Sequence, residues 1–169
     1  MIASLLILVV FAGCQFAASW SDVSSMKIPN WISLVLVAGF LLITPLVWQG
    51  WAIFGEHVLI GVVIFFIGVF GFAMGGFGGG DAKLLAATSL WWVMPDLWMY
   101  LIYTALAGGV LAIFLLIGKK FIPVKVLTTP WVYRLLKDEK KMPYGLALAF
   151  GALMTLPSSD IFQYVINLT

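Results

Sequence analysis

Two aspartates, Asp22 and Asp81, carry most of the chemistry open to this sequence of 169 residues. Asp22 opens the polar run Asp-Val-Ser-Ser-Met-Lys-Ile-Pro-Asn, residues 22–30. Asp81 ends a run in which five of the six residues from Gly75 to Gly80 are glycine, and Ala82 and Lys83 follow it. Two carboxylates held together can share one proton, because like charges a few ångströms apart resist simultaneous ionisation. The ionised member can take a proton from water while the protonated member donates to a carbonyl oxygen, so that water attacks the carbonyl with no covalent enzyme intermediate. Protons in such a dyad belong to the pair rather than to either residue. The scheme needs a wet pocket and room for an extended peptide, and glycine, which permits close backbone approach, can leave that room.

Each residue also has a plainer reading. Asp22 could be a solvated loop aspartate, with Pro29 and Asn30 simply starting the next helix. Asp81 could be the N-cap of a helix beginning at Ala82, accepting a hydrogen bond from its first turn, and this is compatible with a catalytic role. Lys83 could tune the charge of the pair or merely extend its ammonium to the headgroups. A phosphate cradle does not fit the glycine run: Asp81 would put a negative charge at the anion site, and the Gly-x-x-x-x-Gly-Lys-[Ser/Thr] order is absent. A third polar run, Met142-Pro143-Tyr144-Gly145, opens the last apolar segment.

Other chemistries have little to work with. There is one cysteine, Cys14, and one histidine, His57. A disulfide framework or Cys-x-x-Cys zinc site is impossible, and His57 reads as an interfacial residue. No metal or other cofactor is expected. No basic stripe suits nucleic acid.

The elements that must position the aspartates are set by the solvent. Hydrophobic residues make up 63% of the chain and charged residues 9%, against about 25% charged in soluble domains. Lipid is therefore the natural surroundings, and mean hydropathy is +1.12. Apolar runs fall near 2–20, 31–48, 58–74, 84–94, 97–117 and 144–156. They predict an all-α, polytopic integral membrane protein of about six transmembrane helices, folded as a single membrane-embedded domain over 1–169. The fourth and sixth runs are shorter than the roughly 20 residues a crossing needs. Residues 2–19 lack the positive flank of a secretory signal and read as a retained first span.

All nine basic residues, from Lys27 and Lys83 to the cluster at 119–141, fall after the first, third or fifth run. The positive-inside rule makes those connections cytoplasmic and puts both termini outside. Glu56, Asp96 and Asp160 then lie in outer segments. In the longest loop, Thr129-Pro130 followed by Trp131, Val132, Leu135 and Leu136 on one face predicts a short amphipathic helix on the cytoplasmic surface, either a lipid anchor or a docking face.

Together the three polar runs resemble a known family. Gly78-Gly79-Gly80-Asp81 matches the Gly-x-Gly-Asp of polytopic aspartyl proteases, and with Ala82-Lys83-Leu84 it is similar to the corresponding run of type IV prepilin peptidases. Asp22 with Lys27-Ile28-Pro29-Asn30 resembles that family's first aspartate motif, and Pro143-Tyr144-Gly145 a motif near its last span. The resemblance implies a bacterial inner-membrane endopeptidase that removes the short basic leader of a prepilin at the cytoplasmic face. Asp22 and Asp81 would be catalytic, and Lys27, Pro29, Asn30, Gly78, Gly79, Gly80, Lys83, Pro143, Tyr144 and Gly145 would shape the site. Larger members carry paired cysteines in a cytoplasmic segment and also methylate the new N-terminus. This chain has only Cys14 and resembles the short form that serves tight-adherence (Flp-type) pili and cleaves without methylating, with an archaeal preflagellin-type peptidase as the neighbouring possibility. The implied partners are a Flp-type prepilin and the lipid bilayer. From a different class, a small ion-coupled transporter or channel subunit would also explain intramembrane carboxylates, although no inverted repeat is visible and both aspartates lie near one interface. A non-catalytic assembly protein of the pilus machine is a further alternative.

Overall fold

The computed structural model describes residues 7–76, 78–121, 132 and 142–167. A π-helical stretch, Leu8–Ala12, runs directly into α1, Gly13–Ser25. Then come α2, Asn30–Ile43, prolonged by a 3-10 turn at Thr44–Val47, and α3, Trp51–Ala73. The short α4 is Gly79–Ser89, and α5 is the long helix Met94–Phe121. Helix α6, Tyr144–Thr155, is followed by a 3-10 turn and by α7, Asp160–Asn167. Among the described residues there is no strand. The amphipathic segment expected around Trp131–Asp138 lies outside the described residues, Val132 apart.

Among the described residues, four helical stretches are long and apolar enough to cross a bilayer: Asn30–Val47, Trp51–Ala73, Met94–Gly118 and Tyr144–Asn167. Their outward faces agree. Leu59, Phe66, Ile67 and Phe70 of α3 and Leu106, Val110, Ile113 and Phe114 of α5 are each more than half exposed. A surface of that kind needs lipid as its solvent, so the chain is an all-α membrane protein. The last stretch is broken at Ser159, whose extended backbone separates α6 from α7.

The fourth apolar run departs most from expectation. The sequence suggests a span near 84–94, but the helix begins at Gly79 and ends at Ser89, and 11 residues rise only about 16 Å, roughly half a membrane. Its end is sealed by side chains instead. Trp91 and Trp92 are completely buried, and Phe11 meets both edge-on, with centroids 5.1 and 5.2 Å away. Trp91 Nε1 donates to Leu36 O at 3.2 Å, which settles its one polar group. Non-helical backbone at this depth survives because protein rather than lipid surrounds it.

The same end is tied by acidic residues. The Glu56 carboxylate accepts from the Met94 N–H at 2.7 Å, and that of Asp96 from the Asp160 N–H at 2.9 Å. These satisfy donors that helix starts leave free. His57, read from sequence as interfacial, is instead buried between α3 and the end of α4. Its Nδ1 lies 3.1 Å from Leu90 O, so that nitrogen carries the hydrogen, and its ring packs on Phe40. A neutral ring with a carbonyl partner is tolerated where an unpaired one would not be.

Helix α4 is walled by α2, α3 and α6. Against α3 the approach is close. A Cβ placed on Gly68 would stand 3.1 Å from Ala82 Cβ and 3.3 Å from Ala82 O. Gly68→Val should therefore push α4 away, cost about 1–3 kcal/mol and lower the melting temperature in detergent. Gly109→Ala, where a Cβ meets nothing within 4 Å, should leave it unchanged or raise it. Equal melting of Gly68→Val and wild type would show that this contact does not hold α4.

Candidate active site

Asp22 sits in the last turn of α1, beyond the apolar run that precedes it. The helix is stopped by Met26, whose left-handed backbone (φ +54°) is the one positive φ among described non-glycine residues. The Met26 N–H returns to Asp22 O at 2.8 Å, and Ser21 Oγ donates to Lys27 O at 2.8 Å. This wraps residues 26–29 tightly over the helix end and delivers Pro29, in extended conformation, as the N-cap of α2.

The last long helix closes on the first aspartate. Pro143 is the N-cap of α6 and has no side-chain acceptor to offer. The orphan N–H of Gly145 is satisfied from another helix, donating to Asp22 Oδ2 at 2.7 Å. The positive end of α6 thus faces a carboxylate, the favourable sense for the helix dipole. The approach requires glycine. A Cβ on residue 145 would lie 2.8 Å from Asp22 Oδ2 and 2.8 Å from Ile28 Cδ1.

Asp81 occupies the third position of α4. The sequence admits it as the N-cap, but Gly78 holds that place, because Gly79 and Gly80 already form helix. The Asp81 carboxylate reaches back and accepts the Gly78 N–H, the return arm of a capping box. A Cβ on Gly78 would come within 2.6 Å of Asp81 Oδ2. Gly80 lies close under Ile28: a Cβ there would be 3.1 Å from Ile28 Cβ and 3.4 Å from Ile28 N, tight enough that Ile28 would have to give way.

Ile28 therefore touches both Gly80 and Gly145 and bridges the three polar runs. It was not singled out from sequence, although an apolar residue inside a polar run was a usable sign. Of the other expected site residues, Lys83 Nζ donates to Asn30 Oδ1 at 3.0 Å. Lys27 is exposed and joins through its carbonyl only. Tyr144 turns toward α5, where its hydroxyl lies against Gly108. Gly79 packs beside the Phe72 ring. A separate apolar cavity of about 510 Å³ between α2, α3 and α4 is lined by Lys83 and Asn30 but by neither aspartate. Among the described residues, no three of His, Cys, Asp and Glu gather as a metal site requires.

The electrostatics follow from burial. Asp22 is pushed above the ordinary carboxylate value by loss of water, and the Gly145 N–H opposes this. Asp81 is pushed up to about 7, first by burial and second by the charge of Asp22, with the Gly78 N–H opposing. The two carboxylates are thus electrostatic neighbours. Near neutral pH the pair can hold a proton between its two carboxylates.

A sequence profile of the type IV leader peptidase family matches residues 9–113, a stretch that contains both aspartates. No curated protein and no solved structure shows significant similarity to the chain.

Because the folded-state value of Asp81 is raised, its protonation stabilises the fold. That contribution is fully present below the ordinary aspartate value of 3.8 and is lost as pH rises through the window up to about 7. Resistance to thermal unfolding in detergent should therefore fall from pH 5 to pH 8, and Asp81→Asn should flatten much of that slope. An Asp81→Asn protein with the wild-type slope would show that this carboxyl is not held protonated.

Proposed function

Because the chain belongs to the type IV leader peptidase family, we propose that it is a membrane aspartyl endopeptidase that removes the leader of a prepilin, with Asp22 and Asp81 as the catalytic pair. The observation that carries this reading is the paired environment of the two carboxylates. Both are drawn out of water at the same end of the bundle, Asp22 facing the N-terminus of α6 and Asp81 within that of α4, and the charge of Asp22 raises Asp81. Neighbouring acids of different proton affinity are what general acid–base hydrolysis near neutral pH needs.

In the proposed reaction the Asp22 carboxylate, steadied by Gly145, takes a proton from water as the water oxygen bonds to the scissile carbonyl carbon. Asp81 gives its proton to the carbonyl oxygen. The tetrahedral diol then collapses: Asp22 returns its proton to the leaving nitrogen, the C–N bond breaks, and Asp81 recovers a proton from the diol as the carbonyl re-forms. The pair ends as it began, one proton between two carboxylates.

Finer features belong to the same proposal. The connection between α1 and α2 is Met26–Pro29, too short for a paired-cysteine segment, and Cys14 is the single cysteine. Both facts support cleavage without methylation and a Flp-type prepilin as substrate. The placement of every basic residue after the first, third or fifth apolar run supports a cytoplasmic site in a bacterial inner membrane. In this reading the glycines at 78–80 and 145 let the helix ends and the 26–29 connection close around the two carboxylates, and Lys83 with Asn30 braces α4 against α2.

Cleavage of a Flp-type prepilin in membranes should fall by about 10²–10⁴-fold in Asp22→Asn and in Asp81→Asn, the usual contribution of a general acid or base, with insertion unchanged. Wild-type cleavage by both variants would sink the proposal and bring forward the transporter or assembly alternatives.

A further inference from the structure

Gln15 precedes Asp22 by seven residues on α1, and Thr88 follows Asp81 by seven residues on α4. Seven residues make almost two turns, so each polar residue shares a helix face with its aspartate and stands about 10 Å further into the bundle. Gln15 Nε2 donates to Thr88 Oγ1 at 2.9 Å, and both side chains are completely buried. Gln15 Oε1 has no partner, so this one bond fixes the amide.

The bond occupies a particular gap. Helices α1 and α4 make little direct contact, and each leans chiefly on other helices, α6 among them. Among the described residues, no other hydrogen bond joins α1 to α4. A polar side chain in an apolar run is often no more than helix–helix glue. Here, however, it spans the two elements that carry the carboxylates, at the same register below each.

We infer that Gln15 is a positioning residue for the aspartate pair: its bond to Thr88 sets the spacing of α1 and α4, and through it the separation of Asp22 and Asp81. The inference rests on the catalytic reading above. Neither side chain touches the reacting atoms. Both are rigidly placed on the helices that do, and a misplacement of about 1 Å at a reacting centre can cost 10²-fold in rate.

The test uses the full chain in proteoliposomes with a Flp-type prepilin. Gln15→Met keeps length and removes the amide, Thr88→Val keeps shape and removes the hydroxyl, and Thr88→Ser keeps the acceptor. The first two should each lower kcat about 10- to 100-fold with KM little changed. Their combination should be no worse than either alone, and Thr88→Ser should work nearly as wild type. If Gln15→Met loses folded protein but keeps kcat per folded molecule, while Asp22→Asn and Asp81→Asn are inactive, the bond is glue and the positioning role is overturned.

A second measurement needs no cleavage. Removing the Asp22 charge with Asp22→Asn should lower the pH at which Asp81 titrates, followed by pH-dependent unfolding. Lys27, Lys83 and Tyr144, the other ionisable groups of the three polar runs, stay in place. In a Gln15→Met background this shift should shrink as the helices part. An undiminished shift overturns the inference even if prepilin proves not to be the substrate, whereas a wild-type chain that never cleaves prepilin counts against the catalytic reading alone.

Discussion

A charged group can be taken out of water only where something answers it, and in this bundle the answer is helix ends. Asp22 is met by the first free N–H of α6, and Asp81 by the N–H that begins its own helix. Among the described residues, no cation raises or lowers the proton affinity of either carboxylate. Backbone donors are weaker counterweights than an arginine, and burial prevails over them at both sites. The result is a pair that is structurally satisfied yet still protonates easily. An ion pair would have held these carboxylates more firmly and left them poor at moving protons.

The glycines follow from that constraint. Bringing the start of α6 onto Asp22 leaves no space at residue 145, and laying the 26–29 connection over α4 leaves little at residue 80. Ile28 fills the volume between. The three polar runs are far apart in sequence because they come from the first, fourth and sixth apolar segments. They meet because antiparallel helices return their ends to one level.

Much of this was legible in the chain. The two aspartates, the glycine run and the Pro-Tyr-Gly start of the last helix stand out against an apolar background, and the structure brings all three runs to one end. The helix that carries Asp81 was harder to read. Apolar runs show where a helix can lie in lipid, but not that tertiary packing ends one at Ser89 and fills the remaining depth with Trp91 and Trp92. Likewise, glycine discourages helix as a local preference, yet Gly79 and Gly80 are helical, packed closely against Phe72 and Ile28. His57 looked peripheral for want of any sequence sign that Leu90 would present it a carbonyl. Tyr144 belongs to a recognisable motif but faces α5, since adjacent residues on a helix point about 100° apart.

The brevity of α4 bears on how the protein is made. Eleven residues that include Asp81 and Lys83 are too short and too polar to partition into a bilayer unaided, so this segment must enter with its neighbours and find its depth against α2 and α3. Asp22, near the beginning of the chain, does not meet its donor until Gly145 has been synthesised and α6 inserted. The order of translation is therefore also an order of assembly: both carboxylates emerge before α6, and their surroundings are completed only when it arrives. A chain interrupted before that point would hold both acids but not the full apolar, hydrogen-bonded setting that raises their proton affinity.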